Sequence, residues 1–114
     1  MIVVLNLFDI IEGRQARYAN YLRRVQPILD RHGAEVLLYG LTRMIYKGPA
    51  SQEYCGMIAY PDVKALKAFS RDEEYAQILP LRDSSTANYV MTAIESFETM
   101  DDAAEYLESL QPNH

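Results

Sequence analysis

Runs of apolar residues alternate along the chain with amphipathic stretches, and this pattern predicts both strands and helices. In the first, second and last of the apolar runs, both parities are apolar, which is typical of strands buried on two faces. Residues 13–32 instead repeat apolar positions every three or four residues, so we expect an amphipathic helix that Gly33 ends. Pro27 predicts a kink or break in it, because proline removes one backbone donor. The predicted strands are 1–8, 34–47, 53–60 and 87–97.

Three further helical stretches complete the pattern. Pro61-Asp62 begins the first, and the capping-box spacing of residues 70–73 restarts a helix that Pro80 ends or bends. Thr99, followed by acidic residues in the next turn, begins a short C-terminal helix.

The order of these elements predicts an α+β fold. β-α-β-β-α-β is the ferredoxin-like arrangement, a four-stranded antiparallel sheet with two helices on one face. We place this domain at residues 1–98 and an acidic C-terminal helix and tail at 99–114.

The second strand predicts how the protein assembles. Two helices cover one face of a sheet, yet this strand is apolar on both faces, and a sticky surface of that extent needs a cover. We therefore expect a homodimer packed sheet to sheet about a two-fold axis, that is, a dimeric α/β barrel. The residues that carry this argument are Val36, Leu38 and Met44 on one parity, and Leu37, Leu41 and Ile45 on the other.

Charge is concentrated at the C-terminal end. The chain has 114 residues, 11 basic and 16 acidic, for a net charge of −5. Residues 95–114 hold six acidic and no basic residues, which leaves 11 basic and 10 acidic residues for 1–94. This distribution has no positive field that would attract nucleic acid or an anionic membrane, so we expect neither as a partner.

The single cysteine and the apolar N-terminal run predict the cellular compartment. Cys55 has no intramolecular disulfide partner and lies in a predicted strand, so we interpret it as a core thiol. Residues 1–7 are too few for a membrane span and have neither a basic residue before them nor a small-residue cleavage site. We therefore expect a cytoplasmic protein without a signal peptide.

Two segments carry a recognisable order of residues. One runs from Tyr21 to Gly33, with Pro27 inside it and His32 next to its end. The other is 65–82, which has Phe69, Ser70, Glu74 and Tyr75 in order and closes with a distinctive Tyr-x6-Arg element, Tyr75 to Arg82. In these two segments the chain resembles the DUF1330 family. The resemblance covers about residues 1–97, although Ala34 stands where the family often has a second glycine.

The resemblance implies a dimeric α+β barrel in which two ferredoxin-like sheets pack face to face. It implies little about activity. The wider superfamily includes cofactor-independent monooxygenases, lactone isomerases, haem-degrading enzymes and plain binding proteins, so the function stays open. The chain contains no Trp, and Asn6 alone does not make the Trp, His and Asn set of the haem-degrading relatives.

Motifs for cofactors and metals are absent from the sequence. It has no G-x-G-x-x-G, P-loop, C-x-x-C or H-E-x-x-H, and its only histidines are His32 and His114. We therefore expect no cofactor and no metal.

Arg82 is the first candidate for a functional side chain. It follows a helical face that carries Tyr75, and a guanidinium at the mouth of an apolar cleft anchors a carboxylate or enolate well. The alternative is a structural ion pair with Asp83 or Glu74.

Tyrosines form the second candidate group. Buried phenols usually find a hydrogen-bond partner, and four of them are predicted to converge between the helices and the sheet, where they would bind a flat, partly polar ring. Alternatively, these rings are core edges and dimer contacts. The four are Tyr18, Tyr21, Tyr39 and Tyr75.

Three further residues have open roles. His32 either caps the first helix or serves as a general base near neutral pH. Arg43, in the predicted second strand, either anchors a ligand inside the barrel or pairs with an acid such as Glu95. Asn6, the only polar residue in the first strand, joins the candidate substrate-binding residues.

Three functions fit these observations. The first is a small cofactor-independent enzyme for an apolar or aromatic organic acid or ketone, in which Arg82 holds an oxyanion while His32 or a tyrosine such as Tyr75 moves the proton. The second is a non-catalytic dimeric module that binds or senses a small molecule. The third is a protein whose dimer interface is itself the function.

Overall fold

The computed structural model describes residues 1–112, so the last two residues of the predicted tail, Asn113 and His114, lie outside the described residues. Within 1–112 there are four strands and four helices. The strands are β1 (Ile2–Ile10), β2 (Glu35–Leu41), β3 (Tyr54–Tyr60) and β4 (Thr86–Glu95). The helices are α1 (Gln15–Arg31), α2 (Val63–Ser70), α3 (Glu73–Asp83) and α4 (Met100–Ser109).

The sheet has the order β2-β3-β1-β4, and each strand runs antiparallel to its neighbours. In the centre, Val4 of β1 lies between Ile58 of β3 and Ala93 of β4. This order, with helices after β1 and β3, is the ferredoxin-like α+β fold, so the predicted fold class is confirmed.

The core lies between one face of the sheet and helices α1 to α3. Phe8, Ile28 and Ile78 are almost fully buried there, one each from β1, α1 and α3. Each such side chain contributes about 1.5–3 kcal/mol when it leaves water. The buried stripe of α1 follows the helical spacing that the sequence predicts: Tyr18, Tyr21, Val25, Ile28 and Leu29.

The second strand is shorter than predicted. β2 ends at Leu41, and after a last ladder bond from the Thr42 N–H to the Glu53 oxygen (2.7 Å) the chain has no strand partner through residue 50. The pairing also shifts between Val36 and Leu38, which interrupts the alternation of faces. The predicted strand through residue 47 is therefore wrong, and Arg43 lies in an exposed loop rather than within the sheet.

The helices differ from the predictions at their prolines and at the cap of α3. α1 and α3 continue through Pro27 and Pro80, so of the predicted kink or break at Pro27 the break is wrong, and Pro80 does not end its helix. Both prolines are exposed, so water can bond the carbonyl that each leaves unpaired. The cap of α3 is Asp72, whose Oδ1 accepts from the Glu74 N–H at 2.8 Å, whereas the hydroxyl of Ser70 donates back to the Leu66 oxygen of α2.

The start of α4 and the end of α1 agree with the predictions. Thr99 Oγ1 accepts from the Asp102 N–H at 3.0 Å, so it is the N-cap of α4. Gly33 follows the α1 cap residue with a φ of +71°, which a glycine adopts without strain.

The second face of the sheet has no helix over it within residues 1–112. We call it the open face; Leu38, Val90 and Ile94 on it are each more than one third exposed. α4 buries none of its residues. Among the described helices, none combines the length and the apolar character that crossing a membrane requires.

Candidate functional site

A cavity of about 500 Å³ lies between the helices and the covered face of the sheet. Volumes of this size hold small organic ligands. It opens to solvent where Val36, Tyr39 and Met91 are exposed. Besides these three, its lining contains Val4, Asn6, Tyr18, Tyr21, Leu22, Val25, Gln26, Leu29, Ile58, Tyr60, Leu66, Phe69, Ser70, Tyr75, Arg82, Tyr89 and Ala93.

Arg82, near the end of α3, is the cavity's one charged lining residue. Its side chain is 15% exposed, Nε donates to Asp83 Oδ1 at 3.1 Å, and Nη1 donates to the Tyr75 hydroxyl at 2.8 Å. The guanidinium carbon lies 5.1 Å from the centre of the Tyr89 ring, a cation–π contact. Nη2 has no hydrogen-bond partner among residues 1–112, so it can bind a ligand anion.

Of the two predicted alternatives for Arg82, the structure contains the ion pair, and the anion anchor stays a prediction. The ion pair with Asp83 exists, but that carboxylate is mostly exposed, and Glu74 pairs with Arg31 instead at 3.1 Å. Burial lowers the pKa of Arg82, yet the neighbouring tyrosines and the hydrogen bond to Asp83 more than offset it, and the pKa lies above its usual value. The guanidinium therefore stays charged at any physiological pH.

Two tyrosine hydroxyls meet where α1 faces β2. The hydroxyls of Tyr18 and Tyr39 are hydrogen-bonded to each other. The Tyr39 ring reaches this position because it lies over Gly56 of β3, where a Cβ would come within 2.9 Å of its Cδ2. The glycine therefore sets the position of one cavity wall.

Asn6 holds the opposite wall in place. The Tyr89 hydroxyl donates to Asn6 Oδ1 at 2.9 Å, and Asn6 Nδ2 donates to the Val4 and Gly56 carbonyls at 3.3 and 3.4 Å. The Tyr89 ring also stacks on Phe8, with centroids 5.0 Å apart. Since both amide atoms of Asn6 already have protein partners, its main effect is to fix Tyr89.

The apolar part of the cavity is built around Phe69 of α2. The Phe69 ring contacts Tyr75 with centroids 4.2 Å apart and Tyr60 at 5.7 Å. Aliphatic side chains of α1 and β3, among them Leu29 and Ile58, complete the wall. One end of the cavity is therefore apolar and aromatic, and the other presents a guanidinium and phenols.

The phenols act as hydrogen-bond donors rather than as bases. Burial is the largest cause that raises the pKa of five lining tyrosines above the ordinary value, so they are neutral at physiological pH. The lining contains no Asp, Glu, His, Cys or Lys. The five are Tyr18, Tyr21, Tyr39, Tyr60 and Tyr89.

Two predicted site residues lie outside the cavity. His32 is the C-cap residue of α1, and its Nε2 is 2.8 Å from Asp72 Oδ2, on the far side of Phe69. The hydrogen bonds from His32 and Arg31 hold the pKa of Asp72 well below its usual range. Arg43, in its exposed loop, does not line the cavity either. Neither residue meets Arg82, because register and capping place them on other surfaces.

The other predicted residues do converge on the cavity, and three further lining residues are not among those predicted. Tyr18, Tyr21, Tyr39, Tyr75, Asn6 and Arg82 all line it. These three are Tyr60, Phe69 and Tyr89. The signal for Tyr89 is its strand parity, which it shares with the lining residues Met91 and Ala93. Within residues 1–112, no cluster of three His, Cys, Asp or Glu side chains is arranged to hold a metal ion.

Solved structures share this fold. The chain is similar to a protein of unknown function from Rhodopseudomonas palustris, with a TM-score of 0.75 and 21% identity over 86% of this chain and 83% of that one. It is also similar to a dimeric ferredoxin-like protein of unknown function from Jannaschia sp. CCS1, with a TM-score of 0.71 and 15% identity over 83% and 98% of the two chains. A cofactor-independent oxygenase from Streptomyces nogalater matches with a TM-score of 0.64 and 12% identity over 87% and 95%.

At these identities the likeness shows the fold alone. No curated protein sequence matches the chain. Residues 7–97 match the family described as a domain of unknown function, DUF1330, in agreement with the resemblance seen in the sequence. The chain therefore belongs to the DUF1330 family.

Proposed function

We propose that the cavity binds an apolar or aromatic organic acid, or the enolate of such a ketone, and that the protein is a small cofactor-independent enzyme acting on it. The observation that carries this proposal is Arg82, a charged and mostly buried guanidinium whose Nη2 has no partner among the described residues. It adjoins an aromatic cavity of about 500 Å³. A bound anion would gain a charge-assisted hydrogen bond there while its ring packs near Phe69.

The chemistry available to such an enzyme is stabilisation of a developing oxyanion. Arg82 and neutral phenols provide hydrogen-bond donors in the wall of a largely apolar cavity. Because the lining has no carboxylate or imidazole, the proton would have to leave to water or to the substrate's own base. The cofactor-independent oxygenase from Streptomyces nogalater has this fold, which supports an enzyme that works without a cofactor.

The same observation favours a second function, a non-catalytic module that binds or senses a small molecule. A site with an anion anchor and no base holds an organic acid without transforming it. The two functions differ in turnover, not in binding.

The first test measures binding of benzoate and of uncharged benzyl alcohol by titration calorimetry. We expect the wild type to prefer benzoate and Arg82→Ala to lose about 10- to 100-fold in benzoate affinity, since a hydrogen bond to a charged group is worth about 1.5–3 kcal/mol. Arg71→Ala removes an exposed arginine outside the cavity and should bind as the wild type does. Equal benzoate affinity of the wild type and Arg82→Ala contradicts the anchor.

Turnover is tested with acetophenone in D₂O by NMR. Protein-dependent deuterium exchange at its methyl group, lost in Arg82→Ala, supports the enzyme. Benzoate binding without exchange or any other conversion of a panel of aryl ketones favours the binding module.

The open face supports a further part of the proposal, a homodimer packed sheet to sheet. Apolar residues of β2 and β4 stand exposed there, and the Jannaschia protein of this fold is dimeric. Sedimentation at micromolar concentration should give twice the 13.1 kDa chain mass, and a monomer contradicts it. The expected cytoplasmic location stays a prediction.

A further inference from the structure

Helix α4 presents an apolar face that is mostly uncovered within residues 1–112, where the Tyr106 ring contacts Phe97 with centroids 5.4 Å apart. None of its residues is buried, and it makes few contacts with the body of the protein. Its exposed large apolar side chains are Met100, Tyr106 and Leu107, and Leu110 follows at its C-cap. The remaining surface is acidic, with Asp101, Asp102, Glu105 and Glu108 and no basic residue. An amphipathic helix of this kind is incomplete without a partner surface that is both apolar and positive.

Three exposed apolar regions exist among the described residues, and their charges distinguish them. α4 itself is acidic, so two copies of α4 repel each other. The β4 region, 86–98, carries Glu95 and Glu98 without a basic residue, so it repels α4 as well. Residues 36–52 carry Arg43 and Lys47 without an acidic residue.

Within 36–52, the segment 41–47 is the most exposed part. Leu41, Met44, Ile45 and Tyr46 all stand in solvent, and Tyr46 is 93% exposed. No hydrogen bond or ion pair occupies the side chains of Arg43 and Lys47 within residues 1–112. The exposed arginines of α1, by contrast, have no large exposed apolar side chain beside them on that helix. The segment 41–47 therefore combines both properties that α4 requires.

The start of α4 cannot lie on 41–47 of its own chain. β4 ends at Glu95, which pairs with Ile2, whereas Leu41 pairs with Tyr54 at the other end of the sheet. Glu95 and Leu41 are therefore about 25 Å apart, because six residues along the strand direction and three strand spacings lie between them. The chain from Glu95 to Met100 spans at most about 18 Å even when fully extended.

We propose that α4 of one protomer packs on the 41–47 segment of a second copy, with its apolar face on the exposed side chains of that segment and its acidic residues near Arg43 and Lys47. This inference rests on the proposed homodimer and adds a second, reciprocal contact to the sheet-to-sheet interface. It also assigns a role to a helix that lies beyond the residues matching the family, 7–97.

The contact would bear on the cavity of the second copy. The segment begins two residues after Tyr39, whose hydroxyl meets Tyr18 in the cavity wall. Docking of α4 would hold this end of β2, so each site would depend on the partner's helix.

Disulfide trapping between different chains tests the contact. In a Cys55→Ala background, chains with Ile45→Cys and chains with Leu107→Cys are purified separately, mixed and oxidised, and the products are identified by mass. We expect the mixed disulfide, and we expect none when Lys64→Cys, on the exposed side of α2, replaces Ile45→Cys. A dimer that forms only Leu107→Cys homodisulfides, or none, overturns the proposal. A wild-type monomer overturns the homodimer itself and is recognised before any trapping.

Charge reversal provides a second, independent readout. We expect Arg43→Glu with Lys47→Glu to weaken dimerisation about tenfold at low salt, with a smaller effect at high salt. Adding Asp102→Lys with Glu105→Lys should restore it. Arg23→Glu with Arg24→Glu, on the exposed side of α1, makes the same change in charge and should leave dimerisation unaltered. Unchanged sedimentation of the Arg43 and Lys47 variant, together with no mixed disulfide, refutes the contact.

Discussion

Both faces of the sheet carry apolar side chains, but the two faces differ in what covers them. On the covered face, Phe8 is fully buried against four tyrosine rings, and the polar atoms of Asn6 are paired. On the open face, Leu38 is 47% exposed. The chain supplies helices for only one face, so the covered face can develop a ligand cavity, while the open face offers a surface for assembly.

The largest expected effect comes from removing the ring at the centre of the covered face. Phe8→Ala should lower the free energy of unfolding by about 3–5 kcal/mol, since it leaves a void among closely packed rings. Leu38→Ala, on the open face, should cost less than about 1 kcal/mol in urea unfolding of the monomer at low protein concentration. Similar losses for both would mean that the open face is covered within the chain.

A smaller effect is expected where the covered face meets Tyr39. Gly56→Ala places a methyl group against the Tyr39 ring and should lower the free energy of unfolding by about 1–3 kcal/mol while separating the Tyr18 and Tyr39 hydroxyls. Gly40→Ala is the matched control, because a Cβ there meets nothing within 4 Å. Thermal unfolding and tyrosine spectra distinguish the two. If both variants behave alike, the close approach at Gly56 does not set the cavity wall.

The smallest effect concerns Asp72, at the rim of the covered side. Its pKa is lowered by His32 and Arg31, so its contribution to stability is present above the unfolded-state pKa of about 3.9 and is lost as the pH falls below that value. Asp72→Asn keeps an N-cap side chain but removes the charge, so its unfolding free energy should decline less than that of the wild type between pH 6 and about pH 2. If the unfolding free energies of the wild type and Asp72→Asn change in parallel with pH, the pairing of Asp72 with His32 and Arg31 is contradicted.

Much of the fold follows from local pattern. The order of elements, the cap at Thr99 and the end of α1 at Gly33 depend on residues close in sequence, and the structure confirms them. The length of β2 does not follow from local pattern. The register shift after Val36 and the end of the hydrogen-bond ladder at Leu41 both depend on the pairing with β3. That is why Arg43 was predicted in the sheet and is found in a loop.

The candidate site was predictable at positions whose helical period or strand parity places the side chain on the interior face. This holds for Tyr18, Tyr75 and Arg82, whose positions on α1 and α3 bring them to one cavity. His32 was harder, because the residue just past a helix end turns away from the helix face, and here Asp72 binds it. The role of each lining residue in binding or reaction stays a prediction that the Arg82 and Arg71 variants test.

Six of the nine tyrosines line the cavity, and the chain has no Trp. Tyrosine fluorescence is therefore not lost by energy transfer to tryptophan. The near-ultraviolet circular dichroism arises chiefly from these tyrosine rings, and a bound molecule would change their packing. The protein thus carries its own optical reporter. An arriving aromatic acid can be followed in real time through the native chromophores, without any label attached to the molecule.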